Sequence, residues 1–151
     1  MSQATHLFVA TATRRPMREV EGVMAVADRG FEGCRHSRTG SRRQVLLVES
    51  ETLESFGVAP GQVKENITTR GVRLNELAAG QRLGIGESVL EVTGPCQPCS
   101  RMDEIRMGLQ QELHGQRGIL CRVVEGGRIR RGDAIQMAPT AVVAPKIGGE
   151  L

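Results

Sequence analysis

A chain of 151 residues and 16.3 kDa carries enough apolar sequence for one core and too little for two; at this length roughly 68–70% of the unfolded surface is buried on folding without a disulfide or metal staple. The net charge of +3 is mild, and three Phe with no Trp or Tyr leave no aromatic platform for stacked bases, which argues against a nucleic-acid partner. No stretch approaches the roughly 20 apolar residues of a membrane span, and no export signal is visible, so the expected compartment is the cytoplasm, where cysteines stay reduced.

His6 to Thr13 reads as a first strand and Val20 to Ala27 as a second, with a turn at Pro16 between them. Gly30 to Arg43 has glycines, serines and charges but little apolar periodicity, which predicts a long loop of the kind that carries function. Gln44 to Val48 is a short apolar run, expected to be a buried strand. Ser50 to Phe56 predicts a short helix stopped by Gly57. Val63 to Thr68 alternates as a strand does, and Leu74 and Leu77 anchor a brief turn. Leu83–Ile85 and Val89–Val92 read as a hairpin joined at Gly86-Glu87.

Gly94-Pro95-Cys96-Gln97-Pro98-Cys99-Ser100-Arg101 then sets two thiols three positions apart ahead of a helix. Ser100 and Asp103 resemble a capping box, and Ile105, Leu109 and Leu113 fall at i, i+4 and i+8, predicting one continuous helix up to Gly115. Ile119–Val124 and Ala134–Met137 predict two further strands, with Gly126-Gly127 as a tight turn. The pattern predicts a single domain over residues 1–139 and a loose tail over 140–151. Many short strands, frequent glycine turns and two convincing helices predict a mainly β fold, a closed or nearly closed barrel with helices attached.

Two regions carry chemistry. Arg35, His36, Arg38, Arg42 and Arg43 crowd one loop, which suits a phosphate or another oxyanion; a solvated loop is the bland alternative. Cys96-x-x-Cys99 supports several readings. A structural zinc would need two more ligands from Cys34, Cys121, His36 and His114. A redox pair of the thioredoxin kind would want a βαβ context that is missing. Simple packing of small hydrophobes remains open. A reactive or soft-metal-binding thiolate is favoured for Cys99, which precedes the predicted helix, where free N–H groups and the dipole favour an anion, with Arg101 close by.

The run Arg42-Arg43-Gln44-Val45-Leu46-Leu47, then Glu65-Asn66-Ile67-Thr68 with Gly71 and Leu74, Leu83-Gly84-Ile85-Gly86, and Leu90-Glu91-Val92 leading into the cysteines resembles the MOSC domain, named for the C-terminal part of molybdenum cofactor sulfurases. Met102–Leu113, Gly118-Ile119-Leu120 and Gly132-Asp133 extend the likeness to nearly the whole chain, as in small stand-alone bacterial members. The resemblance implies a strand-rich barrel like that of pyruvate kinase, and a role in molybdenum-cofactor or sulfur chemistry. It implies that Cys99 ligates molybdenum, as the matching cysteine does in relatives that reduce N-hydroxylated substrates. Asn66 falls at a cofactor-contacting position and Lys64 where relatives carry a cofactor-binding arginine. The loop with Arg35, His36, Arg42 and Arg43 would meet the phosphate of the pterin, with Cys96 and Arg101 beside it.

One departure stands out: many members carry Gly-Asp where this chain has Gly33-Cys34-Arg35. Pyridoxal phosphate is not expected, since it belongs to a desulfurase domain that nothing here resembles, and the two lysines are Lys64 and Lys146. Two functions follow as expectations. One is a molybdenum-cofactor oxidoreductase acting on a small molecule, with a separate protein as electron donor because no flavin, haem or iron–sulfur motif is visible. The other is a sulfur carrier with a persulfide on Cys99, exchanging sulfur with a donor or acceptor protein.

Overall fold

The computed structural model describes residues 1–12 and 14–138; the predicted tail over 140–151 lies outside them. Strands dominate, so the mainly β expectation holds. An eight-stranded sheet runs in the order β11-β7-β8-β9-β5-β6-β1-β2. Its members are β1 (Gln3–Val9), β2 (Arg18–Val20), β5 (Val45–Glu49), β6 (Ile67–Arg70), β7 (Arg82–Ile85), β8 (Ser88–Pro95), β9 (Ile119–Glu125) and β11 (Ile135–Ala138). A three-stranded sheet holds β10 (Gly127–Arg130), β3 (Gly22–Val26) and β4 (Gly30–Phe31), in that order. The two sheets are not closed into a barrel among the described residues. Where β1 comes near β11 there is one isolated bridge, Gln3 to Ala134, with backbone bonds such as Ala4 N–H to Asp133 C=O at 2.9 Å, in place of a ladder.

β5 organises the interior. Its four apolar residues are all buried, but they serve two cores. Val45 and Leu47 point into the larger core with Leu7, Phe31, Ile67, Leu90 and Val123. Leu46 and Val48 point the other way, into a smaller core with Leu53, Met102, Leu109 and Leu113. A strand buried on both faces has no polar side to show, which is why the sequence there is a continuous apolar run. β9 does the same, with Ile119, Cys121 and Val123 inward and Leu120 outward. β5 and β6 are parallel, joined across α1 (Ser50–Ser55). Gly57, at φ +67°, ends α1, and Val58 N–H closes onto the Leu53 carbonyl at 2.9 Å.

Three expectations need correction. The continuous helix after the cysteines is two one-turn helices, α2 (Met102–Ile105) and α3 (Leu109–Glu112), broken at Arg106 in extended conformation and Gly108 at φ +90°. The cause is tertiary. Arg106 reaches the Phe56 carbonyl at 3.1 Å and pairs with Glu112, and Asp103 accepts the N–H of Gln110 at 3.0 Å. Asp103 therefore supports the second turn, and the Ser100 side chain caps neither. The apolar stripe survives the break, since Met102, Leu109 and Leu113 all reach the smaller core. Val63 to Asn66 is a turn, with the strand starting at Ile67, because Lys64 adopts φ +69°. Gly126-Gly127 is not a tight turn but a one-residue break at Gly126 between β9 and β10, which pairs with β3.

Gly118 sets how closely the chain entering β9 approaches β5. At φ +121°, an added Cβ would collide with the Leu47 carbonyl and come within 2.8 Å of Val48 Cγ2. Gly118→Ala is expected to cost roughly 3 kcal/mol, from backbone strain and displaced packing. A urea midpoint measured against the parent protein checks this.

Candidate functional site

The smaller core is open at one end. There its apolar side chains Leu46, Leu120, Met102 and Ile105 give way to polar ones around a cavity of about 470 Å³. Cys96 and Cys99 arrive from the segment after β8. Cys96 is buried, and its Sγ lies 3.8 Å from the Gln97 carbonyl. Cys99 is exposed at the cavity, and its carbonyl accepts the N–H of Met102 at 3.0 Å. The four-residue α2 aligns few peptide dipoles, so the electrostatic support expected from a long helix is largely missing. What surrounds Cys99 instead is positive charge from side chains.

Arg14, Arg43, Lys64, Arg101 and Arg117 line the same cavity with His36, and Glu104 is the one carboxylate among these lining residues. Lys64 and Arg14 are two of the three non-glycine residues with positive φ among the described residues. Backbone strain of that kind persists where surrounding structure imposes it, and it clusters at functional sites. The Lys64 Nζ donates to the Arg15 carbonyl at 2.8 Å, tying the two strained turns together.

Arg14 and Arg117 are the cationic residues of the cavity that sequence reasoning missed. Arg117 is 6% exposed, and one Nη donates to the Val63 carbonyl at 2.5 Å. Its Nε and other Nη, both buried, have no partner among the described residues. A buried guanidinium with two unused donors is costly unless an acceptor meets them. Its one sequence signal is the adjacent Gly118, whose close approach to β5 carries Arg117 into the interior.

The remaining predicted residues fall in three places. His36 and Arg43 reach the cavity, whereas Arg35 lines a smaller adjoining one of about 230 Å³ that shares Arg14, His36, Lys64 and Arg101. Arg42 turns away, its guanidinium 3.4 Å from the Thr93 carbonyl on β8. Asn66 is wholly buried one layer below the cavity. Its Oδ1 accepts the N–H of Leu46 at 3.0 Å, and its Nδ2 donates to the Phe8 carbonyl at 3.1 Å and to the Cys34 sulfur at 3.3 Å. Asn66 thus bridges β5 and β1 just before β6 begins.

The zinc reading does not assemble: no three His, Cys, Asp or Glu side chains among the described residues come together to hold a metal. Cys121 lies in the larger core, fully buried, where burial pushes its thiol far up. His114 is exposed beyond α3. No helix among the described residues is long and apolar enough to cross a membrane.

The profile of the MOSC domain matches residues 35–136, two thirds of the chain, including β5 to β11 and the cysteine segment. The chain belongs to the MOSC domain family. That family is associated with binding of the molybdenum cofactor. Solved MOSC-type structures share the fold: YuaD from Bacillus subtilis, with a TM-score of 0.74 and 22% identity over 89% of this chain and 94% of that one, and YiiM from Geobacillus stearothermophilus, with 0.73 and 21% over 95% and 78%. YiiM from Escherichia coli is similar at 0.69 and 18%, over 93% and 71%. No curated protein sequence matches this chain.

Proposed function

We propose that the cavity of this MOSC protein binds the molybdenum cofactor, with Cys99 as the protein's ligand to the metal, and that the protein reduces N-hydroxylated small molecules using electrons from a partner protein. The observation that carries this reading is the convergence of Cys96, Cys99 and the largely buried Arg117 on one cation-lined cavity. The donor set fits the cofactor. A thiolate is the soft ligand that a metal already held by sulfur accepts, and Arg117 matches a pterin or phosphate oxygen with charge-assisted hydrogen bonds. When bound, the cofactor supplies two-electron redox chemistry at its metal.

The chain's own residues do the holding. Cys99 stands at the opening, where a small substrate enters. Leu46, Leu120, Met102 and Ile105 give the cavity a dry floor, which strengthens every polar contact made above it. Arg14, Arg43, Lys64 and Arg101 supply the positive field that draws in an anionic cofactor.

The exposure of Cys99 also favours a second reading, a persulfide carrier that passes sulfur to an acceptor protein. The two are separated by assaying protein purified without oxygen. Turnover of a hydroxylamine or amidoxime with an artificial one-electron donor supports the reductase. Cyanide-releasable sulfur without such turnover supports the carrier.

A further inference from the structure

Cys34 is 6% exposed and packs at the edge of the larger core, but its sulfur also has polar neighbours. Its sulfur receives the backbone N–H of Ala10 and the Asn66 Nδ2, each at 3.3 Å. The Asn66 amide cannot be turned round, because its oxygen already takes the Leu46 N–H and its nitrogen serves the Phe8 carbonyl. Both contacts therefore aim N–H donors at sulfur. The Asn66 oxygen also lies 3.4 Å from His36 Nδ1, so that nitrogen must carry a proton to bond there. His36 lies two residues from Cys34, shares Asn66 with it and lines both cavities. Arg117, which lines the same main cavity, is a second buried cation there with N–H groups that lack a partner among the described residues.

We infer that Cys34 is a positioning residue for this cavity: its sulfur is a buried anion that holds the His36 imidazole doubly protonated against the wall, doing the work of a carboxylate. A thiol sulfur accepts such N–H bonds only weakly, whereas a thiolate accepts them as stronger, charge-assisted bonds. Burial alone would raise the Cys34 thiol, yet the His36 side chain and the Ala10 N–H bring it down to about 7. His36 is raised, foremost by the Cys34 contact, against burial and the Arg43 charge. Arg14, Arg43, Lys64 and Arg101 line the cavities with His36, and Arg35 joins them from its own loop. The Arg43 charge works against a cation at His36, so removing the anion beneath it should lower the His36 titration. With the pair intact, the sulfur is charged as pH rises through about 7, and His36 offers an N–H cation to whatever the cavity holds.

The inference does not depend on which cofactor binds, and its test uses the cofactor-free chain. Ring ¹⁵N spectra, assigned with His36→Gln, would be followed through a pH titration in the parent, Cys34→Ser, Cys34→Ala and Cys34→Asp. The expected result is a downward shift of the His36 midpoint in the Ser and Ala variants and its restoration by Asp. The parent should also show a far-ultraviolet thiolate absorbance step near pH 7 that Cys34→Ser removes, read cleanly because the chain lacks Trp and Tyr. A His36 midpoint unchanged by Cys34→Ser, or a parent without the step, would overturn the inference. Cys34→Asp keeps the test decisive should the Ala variant unfold.

Discussion

Cys99→Ser is expected to fold as the parent does and to lose its cofactor. The side chain is exposed and outside both cores, so stability should change by no more than about 0.5 kcal/mol. A serine hydroxyl is hard and stays protonated, and it makes a poor ligand for a soft, sulfur-bound metal. Removal of an outer-shell partner alone typically costs about 10–100-fold in metal affinity, and loss of the ligand itself should exceed that. Urea denaturation together with metal content after gel filtration checks both halves. A variant with full metal and full activity would remove Cys99 from the site.

Arg117→Met should move stability and binding in opposite directions. The guanidinium is buried with two unpartnered donor atoms and, among the described residues, no carboxylate salt-bridged to it. Replacing a poorly compensated buried charge with an apolar chain of similar reach is often neutral or stabilising by about 1 kcal/mol or more. The lost Val63 contact offsets part of that gain. The cofactor-free variant should therefore denature at the same or a higher urea concentration. Its retention of cofactor should fall about 10–200-fold, the scale of one charge-assisted hydrogen bond at about 1.5–3 kcal/mol. A destabilised variant that still holds cofactor would instead mean that Arg117 serves the turn at Val63.

Much of this fold was legible because its signals are local. The hairpin of β7 and β8 joins Ile85 to Ser88 across Gly86-Glu87 as the turn residues predict. α1 stops at Gly57, and β5 is buried over its apolar run. The failures share one physical cause, contacts from far along the chain. Nothing near Met107 shows that Arg106 will bind the Phe56 carbonyl, 50 residues away, and break the helix. The left-handed turn at Lys64 is held by the Arg15 carbonyl, 49 residues away. At the site, the cysteine pair stood out through spacing, and His36, Arg43 and Lys64 through charge and resemblance. Arg42 was equally basic but ended beside β8, since charge alone does not say where a loop side chain points. Arg117 gave only the weak signal of the adjacent Gly118: its importance rests on burial and on donors left without acceptors, which only the three-dimensional structure reveals.

The most direct measurement is elemental analysis for molybdenum, alongside the near-ultraviolet and visible spectrum, on the protein made in a host that synthesises the cofactor and purified without oxygen. The low aromatic content leaves that spectral window nearly empty, so a pterin or metal–dithiolene band would be plain. Stoichiometric molybdenum that disappears in Cys99→Ser is the predicted result. Protein that carries no molybdenum and no such band, yet is folded, would contradict the central claim.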